Sequence, residues 1–415
     1  MASTGLGANY WKLWTSAGFS NLADGAMKVA LPLVAVRYTD SPALIAGLTF
    51  AFTLPWLLFA LTAGALADRL DRRRLMLVAN LARAFFLACL TAASLAGATS
   101  IWLLYAAAVC VGVAETVYDT SSQSILPQLV ARDRLSRANG RLYAAELTAN
   151  QFIGPPLGGF LVAGGVVFAF GTPVLLWVAA IGMLLLLRGR FSARRTERTT
   201  IRADIAEGLR FLGSSTLLRT LAIMVGVFNF ASSAVFTVFV LYAVGAHSAM
   251  KLSDPAYGLL LTASALGSVI GTFLAEPAER ILGRSRALLL TVAGSLLAVA
   301  TPGFTADPFI IGASLLIGGI TVSVWNVITV SLRQRVTPTR LLGRLNSAYR
   351  LLAWGTMPLG AAVGGIIGQL FGVRWVFLAM GALVVLLLIP MLWISDRRMD
   401  DAEAAAEAED ASVDG

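Results

Sequence analysis

The sequence predicts an all-α integral membrane protein: twelve transmembrane helices in two pseudo-symmetric halves of six. Three observations predict it. The 415 residues are 57% hydrophobic and only 13% charged, about half the charged share of a soluble domain. Twelve apolar runs approach the roughly 20 residues that a membrane-spanning helix needs. The second half also repeats the first. Leu135, Arg137 and Asn139 recur 207 residues later as Leu342, Arg344 and Asn346, Gly158 recurs as Gly365, and Asp119 falls opposite Asn326. Near the starts, Asn21-Leu-Ala23-Asp24 resembles Asn229-Phe-Ala231-Ser232. A repeat of this kind relates two bundles by an axis along the membrane normal, with a substrate site near the midplane.

In chain order, the first six spans run from Tyr10 to Val36, Ala43 to Ala67, Leu75 to Ala96, Ile101 to Ser124, Leu142 to Ala163 and Val167 to Leu187. The second six run from Leu217 to Val244, Ala256 to Ala275, Ala287 to Thr301, Phe309 to Leu332, Ala348 to Leu370 and Val373 to Ile394. The division is residues 1–187 for the first bundle, 188–215 for a linker, 216–396 for the second bundle and 397–415 for a tail. In the linker, Ile201, Ile205, Leu209 and Leu212 stand at helical spacing among charges, which predicts an amphipathic helix on the membrane surface. The tail is acidic and Ala-rich and is expected to be disordered.

Charge in the links alternates. Arg69 to Arg74, then Arg132, Arg134 and Arg137, then Arg188 to Arg210, then Arg280, Arg284 and Arg286, then Arg333, Arg335, Arg340 and Arg344 mark every second link as basic. The other links carry little charge. The positive-inside rule therefore puts both termini in the cytoplasm. The Ala, Arg and Gly bias is that of a GC-rich bacterial coding sequence, so the expected location is the bacterial inner membrane. The first apolar run is too long for a signal-peptide core.

The net charge of +9 does not point to nucleic acid, because the basic residues sit in alternate links rather than on one basic face. Cys89, Cys110 and the single His247 offer no metal-ligand spacing. No cofactor is expected. No phosphate-binding Gly-x-x-x-x-Gly-Lys-Ser/Thr loop is present.

Several charges fall inside spans. Asp24 and Lys28 lie one turn apart in the first, Arg83 in the third, Glu115 and Asp119 in the fourth, Glu146 in the fifth, and Glu276 at the end of the eighth. A charge at a helix centre costs about 2.5–3.5 kcal/mol on insertion scales, so these side chains should face the bundle interior. As ion pairs, Asp24 would meet Lys28, and Arg83 would meet Glu115, Asp119 or Glu146, holding helices together. As proton carriers, their carboxylates would be tuned by desolvation and by the nearby bases. Intramembrane acids mark pathways, so Asp24, Lys28, Arg83, Glu115, Asp119 and Glu146 are the proton-coupling candidates. The second half is neutral at equivalent positions. Substrate contacts are expected from Asn21, Phe228, Asn229, Ser232, Phe236, Trp325, Asn326 and Trp354.

The link Gly64-Ala-Leu-Ala-Asp68-Arg69-Leu-Asp71-Arg72-Arg73-Arg74 resembles the loop between helices 2 and 3 of the major facilitator superfamily, Gly-x-x-x-Asp-Arg/Lys-x-Gly-x-Arg/Lys-Arg/Lys. Asp71 stands where that pattern has its second Gly. Gly154-Pro155-Pro156-Leu157-Gly158-Gly159 matches the Gly-Pro-x-x-Gly-Gly core of the antiporter motif of superfamily exporters, with Asn150 where a further Gly is usual. Asp24-Gly25, Ala30-Leu31-Pro32, Thr39-Asp-Ser41-Pro42 and Leu135-x-x-Ala138-Asn139 resemble the branch of macrolide-efflux and enterobactin-exporter type carriers. The Arg that many drug/proton antiporters carry in the fourth span is missing, and Arg83 is the candidate replacement in this chain.

The resemblance covers nearly the whole chain apart from the tail. It implies the major facilitator fold and alternating-access export of a drug, siderophore or secondary metabolite against protons by a monomer. It makes Asp24 and Asp119 the first-choice proton carriers, since the first and fourth helices line the cavity in such proteins. It assigns Gly64, Asp68, Arg69, Arg73 and Arg137 to a cytoplasmic gate, and Gly154, Pro155, Gly158 and Gly159 to a close-packed hinge. An importer or facilitator of a small nutrient would share the fold, and a non-transporting membrane sensor is a further alternative. An enzyme lacks support, with a single histidine in a link and no paired thiols.

Overall fold

The computed structural model describes residues 6–131, 134–189, 191, 201–245, 248–338 and 341–414. Sixteen α-helices follow one another among them: α1 Ala8–Ala35, α2 Pro42–Arg69, α3 Arg72–Leu95, α4 Ile101–Leu129, α5 Leu135–Leu147, α6 Gly154–Gly164, α7 Val166–Leu185 and α8 Ile201–Ser214. Then come α9 Thr216–Ala243, α10 Asp254–Leu282, α11 Arg284–Ala300, α12 Pro308–Val336, α13 Leu342–Phe371, α14 Val373–Val385, α15 Leu388–Met391 and α16 Asp396–Asp414.

Local chemistry starts several of them. The Ser41 hydroxyl accepts from Leu44 N with Pro42 in the first turn, and Ser100 caps α4 in the same way. Asp307 Oδ1 accepts from Phe309 N at 2.8 Å and Ile310 N at 3.1 Å. Each side chain fills a backbone donor that has no partner within the helix.

Ten helices among the described residues are long and apolar enough to cross a membrane. Of the predicted spans, the first and fifth are not among the ten. The first, α1, has 28 residues, long enough at about 1.5 Å per residue, but it carries Asp24 and Lys28. The fifth is broken. Between α5 and α6 the chain makes a π-helical turn, Thr148–Ile153. Pro155 and Pro156 have no N–H to give the preceding turn, and the helix widens there. Along the outer faces large apolar side chains stay exposed, Phe309 at 85%. Such faces are at home against hydrocarbon.

The chain divides into two compact units, Met1–Glu197 with Ala243–Thr262, and Arg198–Tyr242 with Ala263–Gly415. In the first, α1 packs on α6 and α7, α3 on α4 and α7, and α2 on α4. Its core includes Tyr10, Leu13, Met76, Tyr118, Ile125 and Leu184. In the second, α11 packs on α12 and α14, and α13 on α8 and α14. The repeat is visible in the packing. A Cβ on Gly112 would collide with the Phe52 carbonyl, and one on Gly319, 207 positions later, with the Ser264 carbonyl. Close helix contacts of this kind need a residue without a side chain.

Two elements differ from the sequence reading. The linker helix α8 is not only a surface anchor: Gly208 lies against the Arg344 carbonyl and Glu207 pairs with Arg344, so it docks on α13. The tail, expected to be disordered, is helical over Asp396–Asp414. Ala and Glu favour helix, and the acids have partners: Arg284 pairs with Asp400 and Glu403, and Arg335 lies 3.5 Å from Glu403.

Candidate functional site

The charged residues of the first unit converge. Asp24 on α1 and Arg83 on α3 are both buried, at 1% and 0% exposure. Arg83 Nη1 donates to both Asp24 carboxylate oxygens at 3.2 Å and to Ser20 Oγ at 3.0 Å. Its guanidinium also lies 5.0 Å from the Tyr118 ring centre and 5.7 Å from that of Trp177, so it is held by charge and by aromatic faces together. Lys28, a turn further along α1, takes a different partner. Its Nζ is 3.6 Å from Glu115 Oε1 and donates to Asn150 Oδ1 at 3.1 Å. Asn150 Nδ2 in turn donates to Asn21 Oδ1 at 3.4 Å.

The pairing is thus crossed relative to the simplest sequence reading: Arg83 takes Asp24, and Lys28 takes Glu115. Asp119 is half-buried beside them on α4, and Asp119 and Glu146 both lie within the field of Lys28. Glu276 is exposed. Asn21, a substrate-contact candidate, joins this polar cluster through Asn150. Asn150, noted only as a departure from a Gly, joins the π turn to the cluster. The interruption of the apolar fifth span by Thr148-Ala-Asn150-Gln151 was the available signal.

The second unit contains a cavity of about 270 Å³ among α9, α11, α12, α13 and α14. Phe228, Asn229, Trp325, Asn326 and Trp354, five of the substrate-contact candidates, line it. Ser232 and Phe236 are not on its wall. Asn229 Nδ2 donates to the Ala353 carbonyl at 2.7 Å, which fixes the amide. Among the lining residues that escaped the sequence reading are Arg333 and Tyr349. Arg333 was counted as a link charge. Trp325, Thr329 and Arg333 nevertheless stand at four-residue spacing on one face of α12, which is the signal that places Arg333 on the cavity.

The sequence matches the family model described as transmembrane secretion effector over residues 7–413. The chain belongs to that family. It is therefore a multi-pass membrane transporter of the major facilitator superfamily and not an enzyme. Related chains include the multidrug efflux pump Tap of Mycolicibacterium fortuitum, 26% identical over 382 residues that cover 88% of this chain and 90% of Tap. The enterobactin exporter EntS of Salmonella choleraesuis is 27% identical over 353 residues, 83% of this chain and 82% of EntS. Among solved structures, the nucleoside transporter NupG superposes with a TM-score of 0.70 at 12% identity over 93% of this chain and 98% of NupG. A bacterial homologue of the iron transporter ferroportin gives 0.71 at 16% identity over 92% and 98%. At these identities the likeness shows the fold.

In this secretion-effector chain the basic link is tied down within the first unit. Asp71 caps α3 by accepting from Arg74 N at 3.0 Å, and its second oxygen accepts from Phe191 N at 2.9 Å. That is the work done by the acid standing in a Gly position. Arg73 donates to the Leu184 and Leu185 carbonyls at 2.8 Å each, closing the end of α7. Arg72, not among the expected residues, is buried and donates to the Ala67 and Ser124 carbonyls. Gly64 borders open space, and Arg69 and Arg137 are exposed. The Asp68 side chain lies outside the described residues.

The antiporter-motif glycines meet two helices. A Cβ on Gly158 would collide with the Ala26 carbonyl of α1, and one on Gly159 with the Asp254 carbonyl at the start of α10. Gly154 touches Gly25. Pro155, in the first turn of α6, presents its carbonyl to Gly258. Arg37 Nη2 reaches Asp254 Oδ2 at 2.8 Å and the Val162 carbonyl at 3.0 Å, binding the same corner.

Proposed function

We propose that this chain exports a hydrophobic or amphipathic small molecule across the bacterial inner membrane, driven by proton entry, with both termini cytoplasmic. The observation that carries this reading is the buried Asp24–Arg83 pair beside the Lys28–Glu115 pair. A pair bound only for stability would gain little over apolar packing. This one leaves polar capacity open: Arg83 Nε and Nη2, Asn80 Nδ2 and Glu115 Oε2 are buried without a hydrogen-bond partner among the described residues. Open donors and acceptors of this kind are places for water or a proton.

Protonation of Asp24 removes the counter-charge of Arg83, and the guanidinium must then find other partners. That is a change of charge at a packed, two-state site, which is what a coupling ion needs. The Lys28 side chain reaches solvent while Asp24 and Glu115 are both buried, so Asp119, half-buried, is the acid nearer to solvent. The close-packed Gly-Pro-x-x-Gly-Gly corner and the names of the related efflux pump and siderophore exporter support export over uptake. The second unit supplies the substrate contacts, through Asn229, Trp325, Asn326 and Trp354.

The test is transport in inverted vesicles with an imposed pH gradient, across a panel of macrolides, siderophores and cationic dyes. Wild type should move at least one compound only with the gradient. Asp24→Asn should abolish gradient-driven movement while the compound still binds. Transport that persists without a gradient in wild type, Asp24→Asn and Asp119→Asn would make the acids structural and the carrier a facilitator.

A further inference from the structure

The cavity of the second unit has a chemistry that the export reading does not specify. Its walls are mainly aromatic and aliphatic, with Asn229, Thr291, Ser295, Asn326 and Thr329 among them, and Arg333 adds a cation. The Arg333 guanidinium stacks 4.0 Å from the Tyr349 ring centre. Its Nε is buried without a hydrogen-bond partner, and so is Trp325 Nε1. Both residues line the cavity. Among the lining residues Arg333 is the only charged one, and no acid among the described residues is paired with it within 4.0 Å. An indole N–H can only donate, and so can a guanidinium. Two unpartnered donors in one mainly apolar cavity, one of them charged, define a site for an acceptor that carries negative charge.

We propose that this cavity recognises its cargo through an anionic group, a carboxylate or an acidic phenol on an aromatic body, with Arg333 and Trp325 as the donors. The proposal rests on the export reading for the word cargo, and not for the binding itself. The body of the ligand packs on Phe228 and Trp354, and the Asn229 amide, anchored on Ala353, adds an orienting contact. The stacked Tyr349 holds the planar guanidinium in register, a role that a lysine cannot fill. An organic cation finds no counter-charge here. Because Arg333 lies in the last turn of α12, the export reading puts it at the cytoplasmic end, where an anionic cargo would first arrive. An anionic lipid headgroup shares this chemistry and is the alternative source.

Isothermal titration of the full-length protein in neutral detergent tests it. The probes are 2-naphthoate, its methyl ester, 2-naphthylmethylammonium and short-chain phosphatidylglycerol. Naphthoate should bind at least about tenfold tighter than ester or cation, the size of one charge-assisted hydrogen bond. Arg333→Gln should erase the preference, Arg333→Lys should retain part of it, and Trp325→Phe should weaken naphthoate alone. Glu276→Gln, at an exposed position outside both sites, should leave the preference intact. Equal binding of acid and ester, no binding of naphthoate, or a preference unchanged in Arg333→Gln would overturn the proposal. Arg333-dependent binding of phosphatidylglycerol alone would overturn it too, by assigning the site to lipid. Since no gradient enters, failure of proton coupling would leave these results standing.

Discussion

Asp24 and Lys28 stand one turn apart on α1, yet Asp24 is sealed from solvent and the Lys28 side chain is 43% exposed. Four residues turn a helix through about 40° beyond a full circle, enough to point one side chain at α3 and the other at α4 and the π turn. The more weakly hydrated guanidinium takes the acid sealed deepest, and the ammonium, whose own side chain reaches solvent, takes Glu115, which is buried as well. Removing one member of a buried pair strands the other. Asp24→Asn or Arg83→Met should therefore lower stability by about 3–5 kcal/mol, read from thermal unfolding in detergent. The double variant should regain most of that loss but no gradient-driven transport. A double variant that transports would show the pair to be scaffolding. The sequence made the presence of these charges legible, because charge in an apolar run is conspicuous. It did not disclose the partners, which depend on helix rotation and on which helices adjoin.

At the scale of elements, the fifth span carries two devices in series, a widened turn and a close-packed corner. The prolines were legible as a hinge. The π turn was not, since prolines are accommodated by a bend as well as by a widened turn, and only the polar Thr148-Ala-Asn150-Gln151 interruption marked the place. Pro155→Ala returns one N–H to the ladder, and the expected result is a slower transport cycle with normal folding, measured as turnover against thermal stability. Gly158→Val is a harsher change. Its side chain meets the Ala26 carbonyl, at a cost of about 1–3 kcal/mol, and should abolish transport while α1 and α6 are held apart. Retained transport in Gly158→Val would remove the corner from the mechanism. Helix positions were readable from hydropathy throughout. The folding of the acidic tail was not, because its stability comes from Arg284 and Arg335 far back in the chain.

For the whole molecule, ionisable chemistry is concentrated in the first unit and the aromatic cavity in the second. That division was visible in the sequence as an asymmetry between repeats: acids at Asp24 and Asp119, and neutral Ser232 and Asn326 opposite them. Placement of the cavity residues was only partly visible, since Arg333 was grouped with the link charges. If cargo and proton are thermodynamically linked, each must alter the affinity for the other by the same factor. Cargo binding measured between pH 5.5 and 8 should then depend on pH in wild type and lose that dependence in Asp24→Asn. An unchanged pH profile in that variant would separate the two units functionally.

The helix caps differ between the repeats in one respect that bears on how the protein is made. At the start of α3 the cap is Asp71, from the adjoining link, so the helix can be closed off as soon as it leaves the ribosome. At the start of α11 the Ser285 N–H is accepted by Asp396 at 2.7 Å, from 111 residues further on. The second bundle must therefore wait in the membrane with an open helix end until α16 is synthesised. Translation stalled before Asp396 should leave the second bundle more readily cut near the start of α11 than the first bundle is near α3, since the stalled chain lacks the Asp396 cap and the Asp400 and Glu403 partners of Arg284. Asp396→Ala in the finished chain should cost only about 1 kcal/mol. The order of assembly, more than the final stability, would then be what the acidic tail secures.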